Sequence, residues 1–204
     1  MPSSAASERR RLAPEARRTQ IVEGAVAYFA EVGLEGTTRD LSRRLGVTQS
    51  LIYAYFDTKA DLLEAVYRHV YLDRVSPDWP ALIADRGRSL HERLHRFYAE
   101  YTGAIFTYEW MRIFMFSGLA GAELNRRYLD HLATVILKPM LREVEAAACG
   151  QARPGMEDIW NLHGGIVYIG IRKFVYQMPT PEDPEPAVGA AIDRFLAAFE
   201  VARG

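Results

Sequence analysis

A stretch in the first third of the chain, running from Thr37 to Leu63 as TTRDLSRRLGVTQSLIYAYFDTKADLL, limits the possible folds more than any other feature. Thr37 can cap a first helix, and Gly46 can adopt the left-handed conformation that ends it and turns the chain. Thr48 can then cap a second, short helix. Two short helices joined by a glycine turn predict a helix-turn-helix, a motif whose second helix enters the major groove of DNA.

The second helix of this motif has an inward and an outward side. Leu51 or Ile52, together with Phe56, can pack inward against the first helix. The remaining side chains are polar or amphipathic, on a rod that is sized for a major groove. They are Gln49, Ser50, Tyr53 and Tyr55.

A lysine at the start of the next helix is also informative. Asp57 or Thr58 can cap this helix, and Asp61 completes a capping box with Thr58. Lys59 lies in the first turn, where a cation costs ~0.3–1 kcal/mol unless an anion is close. A DNA phosphate would supply that anion, and a solvated surface lysine is the alternative.

These helices also share a signature of residues: Thr38, Asp40, Gly46-Val47-Thr48, Ile52-Tyr53, Tyr55-Phe56, Lys59 and Leu62-Leu63. With this signature the chain resembles the TetR family of bacterial one-component repressors, over roughly residues 19–67. The rest of the chain agrees with that family in length and helical character only.

The resemblance implies which side chains touch DNA. Thr38, Tyr55 and Lys59 would touch phosphates. Gln49, Ser50 and Tyr53 would face base edges or the sugar-phosphate wall, and Arg39 would join either set. Leu51 departs from the commonest pattern of the family, and it can either meet a thymine methyl group or turn inward, so the operator sequence is not predicted. The full predicted DNA-binding set is Thr38, Arg39, Thr48, Gln49, Ser50, Tyr53, Tyr55 and Lys59.

Charge is distributed unevenly along the chain, although the net charge is only −1. Residues 1–60 contain more basic than acidic side chains, whereas the remainder is net acidic. The basic excess is greatest in residues 1–18, which we interpret as a flexible arm that lies along DNA phosphates or in a minor groove, or that only aids solubility. The basic residues of the arm are Arg9, Arg10, Arg11, Arg17 and Arg18.

The periodicity is helical throughout, and the chain of 204 residues is predicted to be all-α with about nine helices. The fourth helix begins near Lys59 and links two domains, and Pro77 and Pro80 mark the boundary after it. Pro139 should kink or split the seventh helix. We divide the chain into a basic arm (1–18), a helix-turn-helix domain (19–66) and a ligand-binding and dimerisation domain (67–204).

The second domain contains an aromatic and methionine-rich segment, FTYEWMRIFMF, from Phe106 to Phe116. Its large side chains lie on more than one side of a helical wheel, which indicates either a central buried helix or the wall of a ligand pocket. We predict a pocket for a small apolar or amphipathic effector. The predicted lining residues are Tyr101, Phe106, Trp110, Met111, Phe114, Met115, Trp160, His163 and Tyr168.

The last two helices carry small and apolar residues together. They can complete the core of a single chain, but in the TetR resemblance they pair with their symmetry mates in a four-helix bundle. A homodimer also provides two reading helices for two halves of a palindromic operator. The predicted dimerisation residues are Ile159, Leu162, Ile166, Ile192, Phe195 and Phe199.

An enzyme is the alternative, because His91-Glu92-Arg93-Leu94-His95 matches the H-E-x-x-H zinc motif of metalloproteases. Glu109 or Glu123 would then serve as the third ligand of a zinc-dependent hydrolase. The longer motif of that class is missing, so we expect no enzyme, metal or cofactor. The single cysteine and the lack of an export signal or a long apolar stretch favour a cytoplasmic, membrane-free regulator, most simply a repressor.

Overall fold

The computed structural model describes residues 13–121 and 123–202, and every regular element in those ranges is helical. A 3-10 turn, Leu72–Arg74, follows α4, and a π-helical turn, Ala133–Leu137, joins α8 to α9. In chain order the helices are α1 (Pro14–Val32), α2 (Thr38–Leu45), α3 (Gln49–Tyr53), α4 (Lys59–Val70), α5 (Trp79–Ala84), α6 (Leu90–Ile105), α7 (Tyr108–Leu119), α8 (Glu123–Leu132), α9 (Lys138–Ala147), α10 (Met156–Phe174) and α11 (Glu185–Ala198).

This architecture confirms the all-α prediction. When α8, the π-helical turn and α9 are counted as one predicted helix, the described residues contain the nine expected helices, and the short α5 is an addition. Pro139 is the second residue of α9 and lacks an amide proton, so the turn before it cannot make the regular α-helical hydrogen bonds. The π-helical turn lies at that point, close to the predicted break.

Helix caps define the ends of α2, α3 and α4. The Thr37 hydroxyl accepts a hydrogen bond from the Asp40 amide at 3.1 Å, and the Thr48 hydroxyl accepts one from the Leu51 amide at 3.2 Å. Gly46, at φ 65° and ψ 32°, makes the left-handed turn between the first two of these helices. The capping box before α4 is formed by Thr58 and Asp61. All four features were predicted from the sequence.

The four N-terminal helices share a buried apolar cluster that is continuous with the core of the second domain. Ile52 and Phe56 are buried, whereas Leu51 is only half-buried, so the inward side of α3 is now defined. The other buried side chains of this cluster include Ile21, Phe29, Leu41 and Leu62.

The predicted flexible arm, residues 1–18, overlaps the start of the first helix. Helix α1 begins at Pro14, because proline suits the first turn of a helix, and it includes Arg17 and Arg18. Arg17 donates a hydrogen bond to the Gln20 side chain at 2.6 Å, and the Arg18 guanidinium lies 4.9 Å from the centre of the Phe56 ring. The predicted arm residues Arg9, Arg10 and Arg11 lie outside the described residues.

Polar side chains connect the N-terminal helices to the rest of the chain. Arg112 on α7 donates hydrogen bonds to the backbone carbonyls of Ala30 and Glu31, near the end of α1, at 2.6 and 3.3 Å. Arg127 on α8 forms an ion pair with Glu64 on α4 at 3.0 Å. Among the described helices, none is both long and apolar enough to cross a bilayer.

Candidate nucleic-acid interface and internal cavity

Helices α2 and α3 present a polar surface. Arg39, Gln49 and Ser50 are exposed, and Tyr53 keeps 41% of its surface accessible. The short α3 is held from beneath by buried Ile52, so its outward side chains are presented on a rigid support. The predicted reading residues therefore share one accessible surface.

The side chain of Thr38 is buried, unlike the other residues predicted to contact DNA. Its side chain is only 5% exposed, and its hydroxyl accepts a hydrogen bond from Gln49 Nε2 at 2.9 Å and hydrogen-bonds with the Tyr53 hydroxyl at 3.1 Å. Its hydroxyl is held between two side chains of α3, and a direct phosphate contact of Thr38 stays a prediction. Thr38 orients Gln49 and Tyr53.

The remaining predicted positions lie around the same surface. Thr48 caps α3 and its hydroxyl also hydrogen-bonds with that of Ser50 at 2.9 Å. Tyr55 and Lys59 are half-buried, and Lys59 Nζ lies 5.9 Å from the centre of the Phe29 ring. This cation–π contact is an alternative partner for Lys59 that sequence reasoning did not consider.

The arginines of α2 differ in their availability. Arg43 forms an ion pair with Asp40 at 2.9 Å, and Arg44 forms one with Glu31 at 2.5 Å. Of the described side chains around α2 and α3, Arg39 is exposed and takes part in none of the ion pairs found. Arg39 and Lys59 are therefore the cations best placed to meet an anion without breaking an ion pair.

The second domain contains a partly open cavity of about 150 Å³ between α6, α7, α8 and α10. Five predicted residues line it: Tyr101, Trp110, Phe114, Trp160 and His163. Their spacing explains the arrangement, because residues three or four positions apart share one face of a helix. The lining residues that the prediction missed are Tyr128, Leu129, Leu132, Gly164 and Val167.

The sequence pattern indicates some of the missed residues but not others. Gly164 and Val167 continue the helical spacing of Trp160 and His163, so extending that stripe would have found them. The contribution of α8 had no comparable signal, because nothing local shows that Tyr128 faces the aromatic segment of α7.

Four predicted cavity residues lie elsewhere. Met111 and Met115 follow Trp110 and Phe114 by one position, a rotation of about 100° around the helix, and do not line the cavity. Met111 packs against Gly170 instead, and Phe106 lines a separate surface groove with Thr102 and Lys173. Tyr168 is 49% exposed and contacts Tyr176. These four side chains therefore lie outside this cavity.

Hydrogen bonds between aromatic side chains form the polar side of the cavity. The hydroxyls of Tyr101 and Tyr128 are 2.9 Å apart, and the Tyr101 hydroxyl lies 3.3 Å from His163 Nε2. Burial lowers the pKa of His163 to about 4, so its imidazole is neutral at pH 7. Burial also raises the pKa of Tyr101 and of Tyr128, which keeps both hydroxyls protonated. The cavity is therefore polar at one point but uncharged.

The predicted dimerisation residues fall into two groups. Ile159, Ile166 and Ile192 are completely buried inside the chain's own core, so within this chain they pack as core residues. Each belongs to the inward stripe of its helix, and the sequence pattern alone does not separate a core stripe from an interface stripe. Leu162, Phe195 and Phe199 lie instead along a groove between α10 and α11, with Asn161, Gly165, Ala191, Arg194 and Ala198.

The H-E-x-x-H segment lies on α6. Glu92 is exposed and forms an ion pair with Arg88 at 2.6 Å. The carboxylate that meets His91 and His95 belongs to Asp193 on α11. Glu109 and Glu123, the expected third ligands, are not part of this cluster.

Comparison with known proteins agrees with this architecture. Residues 21–66 match the family model for bacterial regulatory proteins of the tetR family. The chain is 32% identical to the class A tetracycline repressor protein from transposon 1721 of Escherichia coli, over 36% of this chain and 38% of that protein. It is 37% identical to the HTH-type transcriptional regulator BetI of Burkholderia thailandensis, over 29% of this chain and 31% of that protein. The chain thus matches less than two fifths of the length of each of these relatives.

The fold, in contrast, matches over almost the whole length. A TetR-like transcriptional regulator from Rhodococcus sp. RHA1 superposes with a TM-score of 0.66 at 18% identity, covering 92% of this chain and 99% of that one. At this identity the likeness concerns the fold alone. The helix-turn-helix thus matches the tetR family in sequence, and both domains match a TetR-like regulator in fold.

Proposed function

We propose that this chain is a homodimeric, ligand-responsive transcriptional regulator, a repressor that binds a palindromic operator and is released by a small apolar or amphipathic effector. The observation that carries the proposal is the exposed side of α3, where Gln49, Ser50 and Tyr53 stand on a capped and internally packed helix-turn-helix. The match of residues 21–66 to the tetR family and the uncharged cavity in the second domain support the same proposal.

DNA binding would divide between base and phosphate contacts. The Gln49 amide has donor and acceptor groups that match an adenine edge, and the Thr38 hydroxyl holds this side chain close to Tyr53. Arg39 and Lys59 lie at the first turns of α2 and α4, where free backbone amides and the helix dipole also attract a phosphate. This arrangement provides positioning contacts on both sides of the reading residues.

A dimer is needed because α3 is only five residues long and reaches few base pairs. In a two-fold dimer the two reading helices lie about 34–36 Å apart, one turn of DNA. We assign the contact between protomers to the groove between α10 and α11, where Gly165, Ala191 and Ala198 allow close approach of another helix.

The cavity defines the class of effector. Its volume of about 150 Å³ is below the ~300–1,000 Å³ usual for ligand pockets and suits a molecule of about one aromatic ring. The tyrosine hydroxyls and the imidazole that line it are neutral at pH 7, so an ionic ligand would lose hydration without gaining a counter-charge. We therefore propose a small aromatic or aliphatic effector with one hydrogen-bonding group that meets Tyr101, Tyr128 or His163.

The wall of the cavity contacts the C-terminal end of α4, the last of the four N-terminal helices. Tyr71 caps the C-terminal end of α4, and its ring centre lies 5.3 Å from that of Trp110 and 5.2 Å from that of Tyr128. An effector larger than the present cavity has to push these rings apart. Movement of Tyr71 would displace the end of α4 and change the separation of the two reading helices, which is how the effector would favour the non-binding arrangement.

The proposal is tested by selection of genomic DNA fragments at two salt concentrations, with the purified wild-type protein and three variants. We expect wild type to enrich a palindrome. Lys59→Ala should weaken binding to all sequences and lower the slope of log affinity against log salt by about 1, because one phosphate contact is lost. Gln49→Ala should change the preferred bases instead.

A lysine of the second domain provides the matched control. Lys138 is exposed on α9, and Lys138→Ala should leave both affinity and salt slope unchanged. Failure of the wild-type protein to enrich any sequence, or equal losses in Lys59→Ala and Lys138→Ala, would contradict the proposed DNA-binding surface.

A further inference from the structure

Two histidines and one aspartate meet between α6 and α11, outside the cavity and the helix-turn-helix. His91 and His95 are one helical turn apart, with ring centres separated by 4.5 Å and planes inclined by 18°. The Nε2 atoms of both rings lie 2.8 Å from the same carboxylate oxygen, Oδ1 of Asp193. The three side chains are 21%, 36% and 34% exposed, so the cluster is sheltered but within reach of solvent.

Only one of the two histidines is hydrogen-bonded to Asp193. His95 Nε2 is in hydrogen-bonding geometry with Asp193 Oδ1. His91 Nε2 is equally close to that oxygen, but it is a buried atom outside hydrogen-bonding geometry, with no hydrogen-bond partner among the described residues. A buried polar nitrogen left in this way is unfavourable, and a metal ion would use its lone pair.

A glycine on α11, Gly189, leaves room for the imidazole ring of His95. A Cβ atom at Gly189 would lie 3.1 Å from Cε1 of His95, which is closer than most packed contacts. Gly189 is four residues before Asp193 and on the same helical face. The glycine lets the His95 ring approach the backbone of α11, and this approach brings the imidazole to the carboxylate.

We propose that His91, His95 and Asp193 bind one divalent transition-metal ion, with Zn²⁺ as the preferred ion, and that it links α6 to α11. Two imidazoles and one carboxylate favour zinc and its neighbours over Mg²⁺ and Ca²⁺, which prefer oxygen ligands alone. With metal–ligand distances of about 2.0–2.2 Å, tetrahedral ligand atoms are separated by about 3.3 Å. The two Nε2–Oδ1 distances of 2.8 Å need to open by about half an ångström, and the stacked rings have to tilt so that both lone pairs point at the ion. A water molecule would complete the coordination.

The site is positioned to influence the second domain. Helix α6 also carries Tyr101 of the cavity, and α11 carries one side of the groove assigned to the dimer contact. Metal binding would fasten these two helices at a point about 9–15 Å along α6 from Tyr101, as follows from the rise of an α-helix. The site is separate from the effector cavity, and binding there does not depend on DNA recognition.

The test uses the full-length protein, freed of any purification tag and treated with a chelator, and measures Zn²⁺ binding by calorimetry in competition with a chelator of known affinity. We expect one Zn²⁺ per chain and no comparable binding of Mg²⁺. Zn²⁺ should also raise the unfolding midpoint by several degrees, because a ligand that binds only the folded state stabilises it.

Variants locate the binding site. Asp193→Asn preserves the size of the side chain, and His91→Gln preserves a polar group on α6. Each should weaken Zn²⁺ binding by at least about ten-fold, since even the loss of an outer-shell partner costs 10–100-fold. His131→Gln, at an exposed position on α8, is the matched control and should bind as wild type does.

The same experiments can overturn the proposal. Absence of a one-to-one Zn²⁺ complex, equal affinity for Mg²⁺, or equal losses in His91→Gln and His131→Gln would each exclude the site. Circular dichroism of every variant distinguishes a lost ligand from a lost fold. Because the DNA-fragment selection is a separate measurement, failure of the metal site leaves the proposed regulator untouched, and the reverse also holds.

Discussion

Replacement of the buried histidine in the cavity should change how the stability of the protein depends on pH. His163 is 4% exposed and burial holds its pKa at about 4, whereas the pKa of a histidine in the unfolded chain is near 6.5. Below pH 6.5 the unfolded chain binds a proton that the folded protein does not bind. The free energy of unfolding therefore decreases as pH falls from 6.5 towards 4.

The size of this effect follows from the two pKa values. Integration of the linkage relation between pH 7 and pH 5 gives a loss of about 1.8 kcal/mol from His163 alone, and the complete loss approaches about 3.4 kcal/mol at pH 4 and below. The window from pH 7 to pH 5 is the informative one. Arg86 and Arg93 lower the pKa of Glu143, so this carboxyl group titrates below the window.

The assay is urea unfolding of wild type and His163→Gln at pH 7, 6 and 5, with the fluorescence of the three tryptophans as the probe. The variant is expected to lose less stability than wild type over this range, by about 1.8 kcal/mol, whatever its stability at pH 7. His131→Gln provides the control at an exposed histidine and should follow the wild-type pH dependence. Parallel curves for wild type and His163→Gln would refute the argument that the cavity keeps this imidazole neutral.

Two further variants test the proposed switch and dimer contact. Arg112→Met removes the hydrogen bonds from α7 to the carbonyls at the end of α1, so we expect DNA binding to persist while its release by effector weakens, measured by titration of effector into the protein–DNA complex. An unchanged response would show that Tyr71 and α4 alone carry the coupling. Gly165→Glu places a charge in the groove between α10 and α11, where a Cβ has open space within one chain. We expect it to produce folded monomers in sedimentation, and a persisting dimer would move the contact elsewhere.

Predictions that depend on neighbours along the chain agreed best with the structure. The caps at Thr37, Thr48 and Thr58 and the turn at Gly46 were all predicted, because cap and turn preferences involve residues within four positions of each other. The choice between Leu51 and Ile52 as the inward residue of α3 was left open. It depended on where α1 and α2 lie, which the local pattern does not contain.

Predictions that depend on distant contacts were only partly correct. The aromatic segment of α7 was recognised as unusual, but its periodicity did not show which side faces a cavity, so Met111 was assigned together with Trp110. The buried stripe of α10 was assigned to a partner chain because a helix that faces its own core and one that faces a partner carry the same apolar spacing. Thr38 was assigned to a phosphate by family resemblance, although its hydroxyl is occupied by side chains of α3.

By itself the sequence determined that the described part of this protein is all-helical, that its first third contains a helix-turn-helix and that it carries H-E-x-x-H on one helix face. Only the tertiary structure decided that Tyr128 closes the cavity opposite Trp110, and that Asp193 meets His91 and His95. The physical reason is that helix formation and capping are governed by interactions over one or two turns. A cavity or a metal cluster requires side chains from helices far apart in sequence, and their meeting depends on how the whole core packs.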